Sequence, residues 1–359
     1  MRHIIIGLIA FVSFLSCTER SKISERSSNR IVVDALRREV SIPDSISKIV
    51  CIRPSAIRLV IYAGGLPYIC GVEESELKNR DYTHLYAYPQ LNQLPSIGPS
   101  MGGDPELILA SCPDVIFMAS TTKADADELQ NKLHIPVITL EYGDIGKNRE
   151  VFFNSLKLIG EVLDTQSQTD SLTGYIEKQI NELTQRAAES AKNVNAYIGG
   201  ISYKGTKDIT STDPYYAGLQ MVLANNVAKS IDPRYISPIT GTYIDIEALI
   251  EWNPEVIFID QHGVGLVKEN FKTQPKLFAL LTAVKDKAIY KVWPYNNYHS
   301  NFEVMLMNAW YMGKILYPDQ FQDIKIVEKV DEISEHFLGV PVGERLSQEW
   351  GNYSENSIL

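Results

Sequence analysis

The chain has 359 residues, long for one α/β core and comfortable for two. With 45% apolar and 22% charged residues it has ordinary globular composition, which excludes a disordered tail protein, a collagen-like chain and a polytopic membrane protein. Its 34 Lys+Arg against 44 Asp+Glu give a formal net charge of −10 without any basic run, which speaks against nucleic acid or an anionic membrane surface as a partner. Tyrosine is the unusual component, with 19 Tyr beside 11 Phe and 4 Trp. It is an apolar ring with a polar tip, suited to gripping something half wet, and most of the 19 are expected at solvent-facing positions.

The N-terminus reads as an address label. Arg2 and His3 precede an unbroken apolar or small run over residues 4–15. Twelve such residues are too few for a membrane-spanning helix, which needs about 20, but they fit the h-region of a secretory signal. Leu15-Ser16-Cys17 resembles the lipobox of bacterial lipoproteins, which implies cleavage after residue 16 and lipidation of Cys17; an ordinary cleaved signal with an incidental cysteine is the alternative. Residues 17–30 then have no apolar periodicity and read as a flexible tether. The remaining cysteines, Cys51, Cys70 and Cys112, are odd in number, contain no CxxC and sit in or beside apolar runs, so buried free thiols are expected.

An internal duplication organises the rest. Residues 105–118 (PELILASCPDVIFM) and 246–259 (IEALIEWNPEVIFI) align at a constant offset of 141, matching Glu106 to Glu247, Pro113 to Pro254 and Asp114 to Glu255. Each copy predicts a short helix behind an aspartate N-cap, a proline stop and a strand buried on both faces. A weaker echo pairs residues 48–66 with 195–226. The chain is therefore predicted to be α/β, with an N-terminal lobe over 31–146 and a related C-terminal lobe over 193–318. Residues 147–192 lack proline and carry apolar residues at helical spacing, predicting one long connecting helix. A helix over 301–316, a final helix within 319–338 and a loose tail over 340–359 complete the reading.

With these features the chain resembles the helical-backbone (class III) substrate-binding proteins that deliver ferric siderophores, haem or cobalamin to bacterial ABC importers. The resemblance covers nearly the whole chain beyond residue 30. Residues 33–43 (VDALRREVSIP) are similar to the family's opening hairpin, with Arg37 where the family usually has glycine. Lys48-Ile49-Val50, both duplicated strands and Tyr317-Pro318 match further family elements. The resemblance implies two Rossmann-like lobes with a ligand cleft between them, a permease and ATPase as partners, and attachment to a bacterial membrane through the lipid alone, facing the periplasm or cell exterior. It implies that Glu106 and Glu247 dock on permease arginines; a carboxylate in the first turn of a helix is also favoured by the helix dipole in any protein. It implies no covalent cofactor, and a transported metal chelate, most simply an iron chelate, with cobalamin or haem as alternatives.

Cleft residues are sought in loops at strand ends. Arg53 follows the first core strand and is a candidate for an anionic chelate oxygen, or equally for a lobe-internal ion pair. Residues 81–88 (DYTHLYAY) offer Tyr82 and Tyr86, though their alternation also reads as an exposed strand. The second lobe offers Tyr203, Tyr215 and Tyr216, and residues 293–299 (WPYNNYH) offer Trp293, Tyr295, Tyr298 and His299, the densest candidate recognition loop. The six histidines are scattered, so a bare-metal site has no signature. No GxSxG, HExxH or phosphate loop is present, so an enzyme on the same frame has no visible catalytic residues; a sensor without a transporter stays open.

Overall fold

The computed structural model describes residues 29–78, 82–237, 241–296, 300–354 and 356–358. The expected signal and Cys17 lie outside these residues, as do Tyr298 and His299.

The chain opens with an antiparallel hairpin, β1 (Asn29–Val33) and β2 (Glu39–Pro43). Its turn holds Arg37 at φ +61°, so the left-handed position expected of glycine exists and arginine occupies it. Asp34 braces the turn: its carboxylate accepts from the backbone N–H of Leu36 and Arg38 and pairs with the buried Arg38 guanidinium at 2.9 Å.

The first lobe follows with β3 (Ile49–Ile52), α1 (Ala56–Tyr62), β4 (Ile69–Gly71), α2 (Glu74–Lys78), α3 (Thr83–Ala87), α4 (Pro105–Ser111), β5 (Val115–Ala119), α5 (Lys123–Leu133) and β6 (Val137–Leu140). Its sheet is parallel, in the order β4-β3-β5-β6. Strands β3, β5 and β6 are buried along their whole length, as their continuous apolar runs require. The alternation in residues 81–88 does not make a strand. Thr83–Ala87 is helical, with Thr83, His84 and Leu85 buried against the lobe.

The connector is helical but is not one helix. It consists of α6 (Arg149–Leu163) and α7 (Gln166–Ala188), broken where Asp164 turns left-handed at φ +57° and closes the first helix on Gly160. Apolar spacing continues through the break because both helices pack on the same core, so periodicity alone did not reveal it.

The second lobe contains β7 (Asn195–Gly199), β8 (Ser211–Thr212), α8 (Ala217–Met221), β9 (Asn225–Asn226), β10 (Thr242–Tyr243), α9 (Ile246–Trp252), β11 (Val256–Asp260), α10 (Val264–Thr273), α11 (Pro275–Phe278), α12 (Thr282–Lys285) and β12 (Ile289–Val292). Its sheet order, β9-β7-β11-β12, repeats that of the first lobe strand for strand. The duplication extends to side chains. Asp114 accepts from the backbone of Ser47 and Lys48 ahead of β3, and Glu255 accepts from Asn195 N at the start of β7. Each acid thus pins the neighbouring strand, a structural reason for its recurrence.

The chain ends with α13 (Phe302–Leu316), α14 (Ile326–Leu338) and α15 (Gly343–Trp350). The expected loose tail is instead docked. Leu346 and Trp350 are buried, and Tyr353 stacks on Trp293 at 4.2 Å and bonds Asn308. Aromatic burial near the C-terminus supplies the contact area that the polar residues around it conceal.

Helix α13 joins the lobes. Nearly all of it is buried, and its first turn reaches into the first lobe. There Glu303 accepts from Tyr62 Oη and Thr83 Oγ1, while the Ser300 carbonyl accepts from Arg58 Nη1 (3.1 Å) and Tyr142 Oη. Phe302 packs against Tyr142 and Phe152. The three cysteines are free; Cys51 is buried and Cys70 half-buried, whereas Cys112 is exposed because it is the left-handed cap that ends α4.

Candidate functional site

In each sheet the first strand lies between the second and third, so the chain switches direction beside β3 and β7, and the strand C-termini open a crevice at that point. In the second lobe two loops cross there. Gly200, at φ +73°, and Gly263 press backbone to backbone; a Cβ on Gly263 would lie 2.7 Å from the Gly200 Cα. This contact holds residues 201–206 and His262 beside the crevice. Gly241 fits directly under the ring of Tyr203, where any side chain would collide with the ring, and so fixes the ring's position.

A cavity of about 940 Å³ opens at this edge. The first-lobe side contributes Asp144, Lys147 and Asn148 from the loop between β6 and α6. The second lobe contributes Ser202, Tyr203, Lys204, Thr206, Asp213, Tyr215 and His262, and the segment leading to α13 contributes Tyr295, Asn296 and Ser300. Lys147 Nζ stands 5.7 Å from the Tyr215 ring centre, a cation–π contact across the junction. Asp144 spends its carboxylate within its own loop, accepting from the N–H of Gly146 and Asn148 and from the Asn148 amide. Asn296 donates to the Ser202 carbonyl at 2.6 Å. The Ser202 hydroxyl is buried without a hydrogen-bond partner among the described residues.

Besides Asp144, two further carboxyl groups lie in or behind the cavity. Asp213 faces it, accepting from Tyr215 N (2.9 Å) and Tyr295 Oη (3.3 Å) with no ion-pair partner among the described residues; burial pushes its pKa up. Asp260, behind it at the end of β11, is pushed up to about 7 by burial. Burial also raises Tyr203 and Tyr295, which therefore stay neutral hydrogen-bonding groups at ordinary pH.

Of the residues singled out in the sequence, Tyr203, Tyr215 and Tyr295 line this cavity. Tyr216 lies behind it, fully buried, its hydroxyl accepting from Asn308 at 2.9 Å. Trp293 is core, donating Nε1–H to the Gly351 carbonyl. Tyr82 is buried beside His84 with the Arg58 guanidinium over its ring, and Tyr86 packs edge-on against Trp350. Arg53 pairs within its lobe, with Asp125 at 3.1 Å and the Ser120 carbonyl at 3.0 Å. Glu106 and Glu247 are exposed in the first turns of α4 and α9. Sequence reasoning passed over Lys147, Lys204 and Ser202; the glycines flanking residues 201–204 were the one available signal.

Among the described residues no group of three His, Cys, Asp or Glu side chains could hold a metal ion, and no helix is long and apolar enough to cross a membrane.

A family model described as periplasmic binding protein matches residues 49–295. The chain belongs to the periplasmic binding protein family. Over 355 residues this binding protein is 24% identical to the molybdate-binding protein MolA of Haemophilus influenzae, covering 90% of this chain and 95% of MolA. The molybdate-bound structure of MolA, described as the cognate periplasmic binding protein of an ABC transporter, superposes with a TM-score of 0.65 at 23% identity, over 87% of this chain and 98% of MolA. A periplasmic solute binding protein of Veillonella parvula gives 0.69 at 18% identity, over 90% and 97% of the two chains. The periplasmic haem-binding protein HutB of Vibrio cholerae gives 0.56 at 16%, over 76% and 100%. These likenesses extend the two-lobed fold along most of the binding protein.

Proposed function

We propose that this binding protein captures a metal-containing oxyanion of the molybdate kind in the cavity between its lobes and hands it to an ABC permease. The observation that carries this reading is the convergence of Lys147 and Lys204, from opposite sides of the junction, on a cavity that also holds the unpartnered Ser202 hydroxyl. Two ammonium groups and a spare hydroxyl donor are what a small dianion needs on leaving water. The molybdate bound by MolA agrees with that chemistry. A compact ferric chelate is the second reading, favoured by a cavity of about 940 Å³ and by the rings of Tyr203, Tyr215 and Tyr295; haem and cobalamin would need more apolar lining. The protein acts by binding and release, without catalysis. Isothermal titration with molybdate, tungstate, sulfate, ferric chelates, haem and cobalamin separates the readings. Oxyanion heat with silence from the chelates is expected; chelate binding alone would overturn the oxyanion reading.

In the same reading Glu106 and Glu247 meet cations on the permease, since two like charges on paired lobes can fix the orientation of a basic partner. Charge reversal at both (Glu106→Arg with Glu247→Arg) is expected to abolish uptake while ligand affinity stays within about twofold, as for exposed substitutions away from the cavity. Loss of ligand affinity would reject the assignment. Cys17 anchors the mature protein through lipid; Cys17→Ser is expected to move it from the membrane pellet to the soluble fraction, and an unchanged pellet would contradict the anchor.

A further inference from the structure

We propose that Asp213 sets the selectivity of the cavity by taking up one proton when a fully deprotonated oxyanion binds. This rests on the oxyanion reading and goes beyond it to how the site sorts anions by protonation.

Asp213 is half-buried and lines the cavity. Each carboxylate oxygen receives one neutral donor, the Tyr215 N–H on Oδ1 and the Tyr295 hydroxyl on Oδ2. No lysine, arginine or histidine forms an ion pair with it among the described residues. The ionisable groups around it are Tyr203 from the loop after β7, Tyr216 ahead of α8, Tyr295 from the segment after β12, and Asp144 across the junction. Asp260 faces Tyr216 and Tyr295 from the end of β11, and His262, Lys147 and Lys204 share the cavity wall.

An ionised carboxylate in that position repels a dianion bound beside it. Two resolutions exist. An anion that carries its own proton at neutral pH, such as hydrogen phosphate, can donate that O–H to the Asp213 carboxylate. An anion without a proton, such as molybdate, binds when Asp213 takes one from solvent and presents O–H instead of O⁻. The balanced step is protein + H⁺ + MoO₄²⁻ giving the complex, with the proton on Asp213 and no other bond made or broken. Burial, which already favours the protonated form, lowers the cost of that uptake.

The test is titration with sodium molybdate at pH 6, 7 and 8, each in two buffers of different ionisation enthalpy. The expected result is uptake approaching one proton per molybdate at the upper pH values, with affinity falling up to about tenfold per pH unit there. In Asp213→Asn, where the amide keeps the shape and cannot titrate, the slope is expected to vanish and molybdate to bind more tightly at pH 8 than to the native protein. The buffer comparison on the native chain stands by itself should the variant fail to fold. Molybdate binding without proton uptake, or a slope that persists in Asp213→Asn, overturns the proposal while leaving the oxyanion reading intact. No molybdate binding at any pH overturns both.

Discussion

Glu303→Ala is expected to destabilise the protein by about 3–5 kcal/mol, as removing one partner of a buried charged network does. Glu303 is fully buried in the first turn of α13, where the helix dipole favours a carboxylate. Its two oxygens accept from Tyr62 on α1 and Thr83 on α3, both of the first lobe, and its charge faces Arg58, itself buried. Alanine would leave two buried hydroxyls without that acceptor and Arg58 without that counter-charge, besides opening a cavity. Glu303→Gln keeps the shape and one acceptor but removes the charge, and is expected to fall between alanine and the native chain. Urea midpoints for the three proteins check this; a shift for Glu303→Ala below about 1 kcal/mol would mean that the network contributes little. Because the same network holds the Ser300 carbonyl, which borders the cavity, the alanine variant is also expected to bind ligand more weakly.

The second large effect is a pH dependence with an unusual sign. Asp260 is buried at the end of β11; its Oδ1 accepts from His262 N at 3.0 Å and its Oδ2 has no partner among the described residues. Burial raises its pKa from the ordinary carboxylate range to about 7. The folded state therefore binds this proton more tightly than the unfolded state, where the pKa is about 3.9. The contribution to stability is full below about pH 4 and is lost as pH rises through about 7, by about 2–4 kcal/mol in all. Asp213 titrates in the same direction, so comparison with Asp260→Asn isolates the one group. Between pH 5 and pH 8 the native urea midpoint is expected to fall more than that of Asp260→Asn. Parallel profiles would contradict the assignment. Asp260 holds this position because its Oδ1 caps the turn over Gln261–Gly263 that carries His262 to the cavity wall.

The lobes were legible in the sequence because parallel strands buried on both faces leave continuous β-branched runs, and Val115-Ile116-Phe117 recurring as Val256-Ile257-Phe258 needs no structure to notice. The break at Asp164 was not legible, since a left-handed cap interrupts hydrogen bonding without interrupting apolar spacing. The cavity was half legible. Choosing residues by aromatic density found Tyr203, Tyr215 and Tyr295, but also gathered Tyr82, Tyr216 and Trp293, whose polar atoms meet partners within the core or whose rings pack there. Lys147, Lys204 and Ser202 carry no pattern of their own; they become a set only because the β6–α6 loop of the first lobe and the loop after β7 of the second line the same cavity. Arg53 shows the reverse case, since its partner Asp125 lies far along the sequence and comes close only through the helix after β5.

The most direct measurement of where and what the protein binds is a crystal structure of the chain soaked in sodium molybdate, with anomalous scattering from molybdenum locating the ion. The expected result is one fully occupied peak in the cavity between Lys147 and Lys204, within hydrogen-bond reach of the Ser202 hydroxyl. A peak seated elsewhere, or an empty cavity in a protein that takes up a ferric chelate from the same solution, would contradict the account.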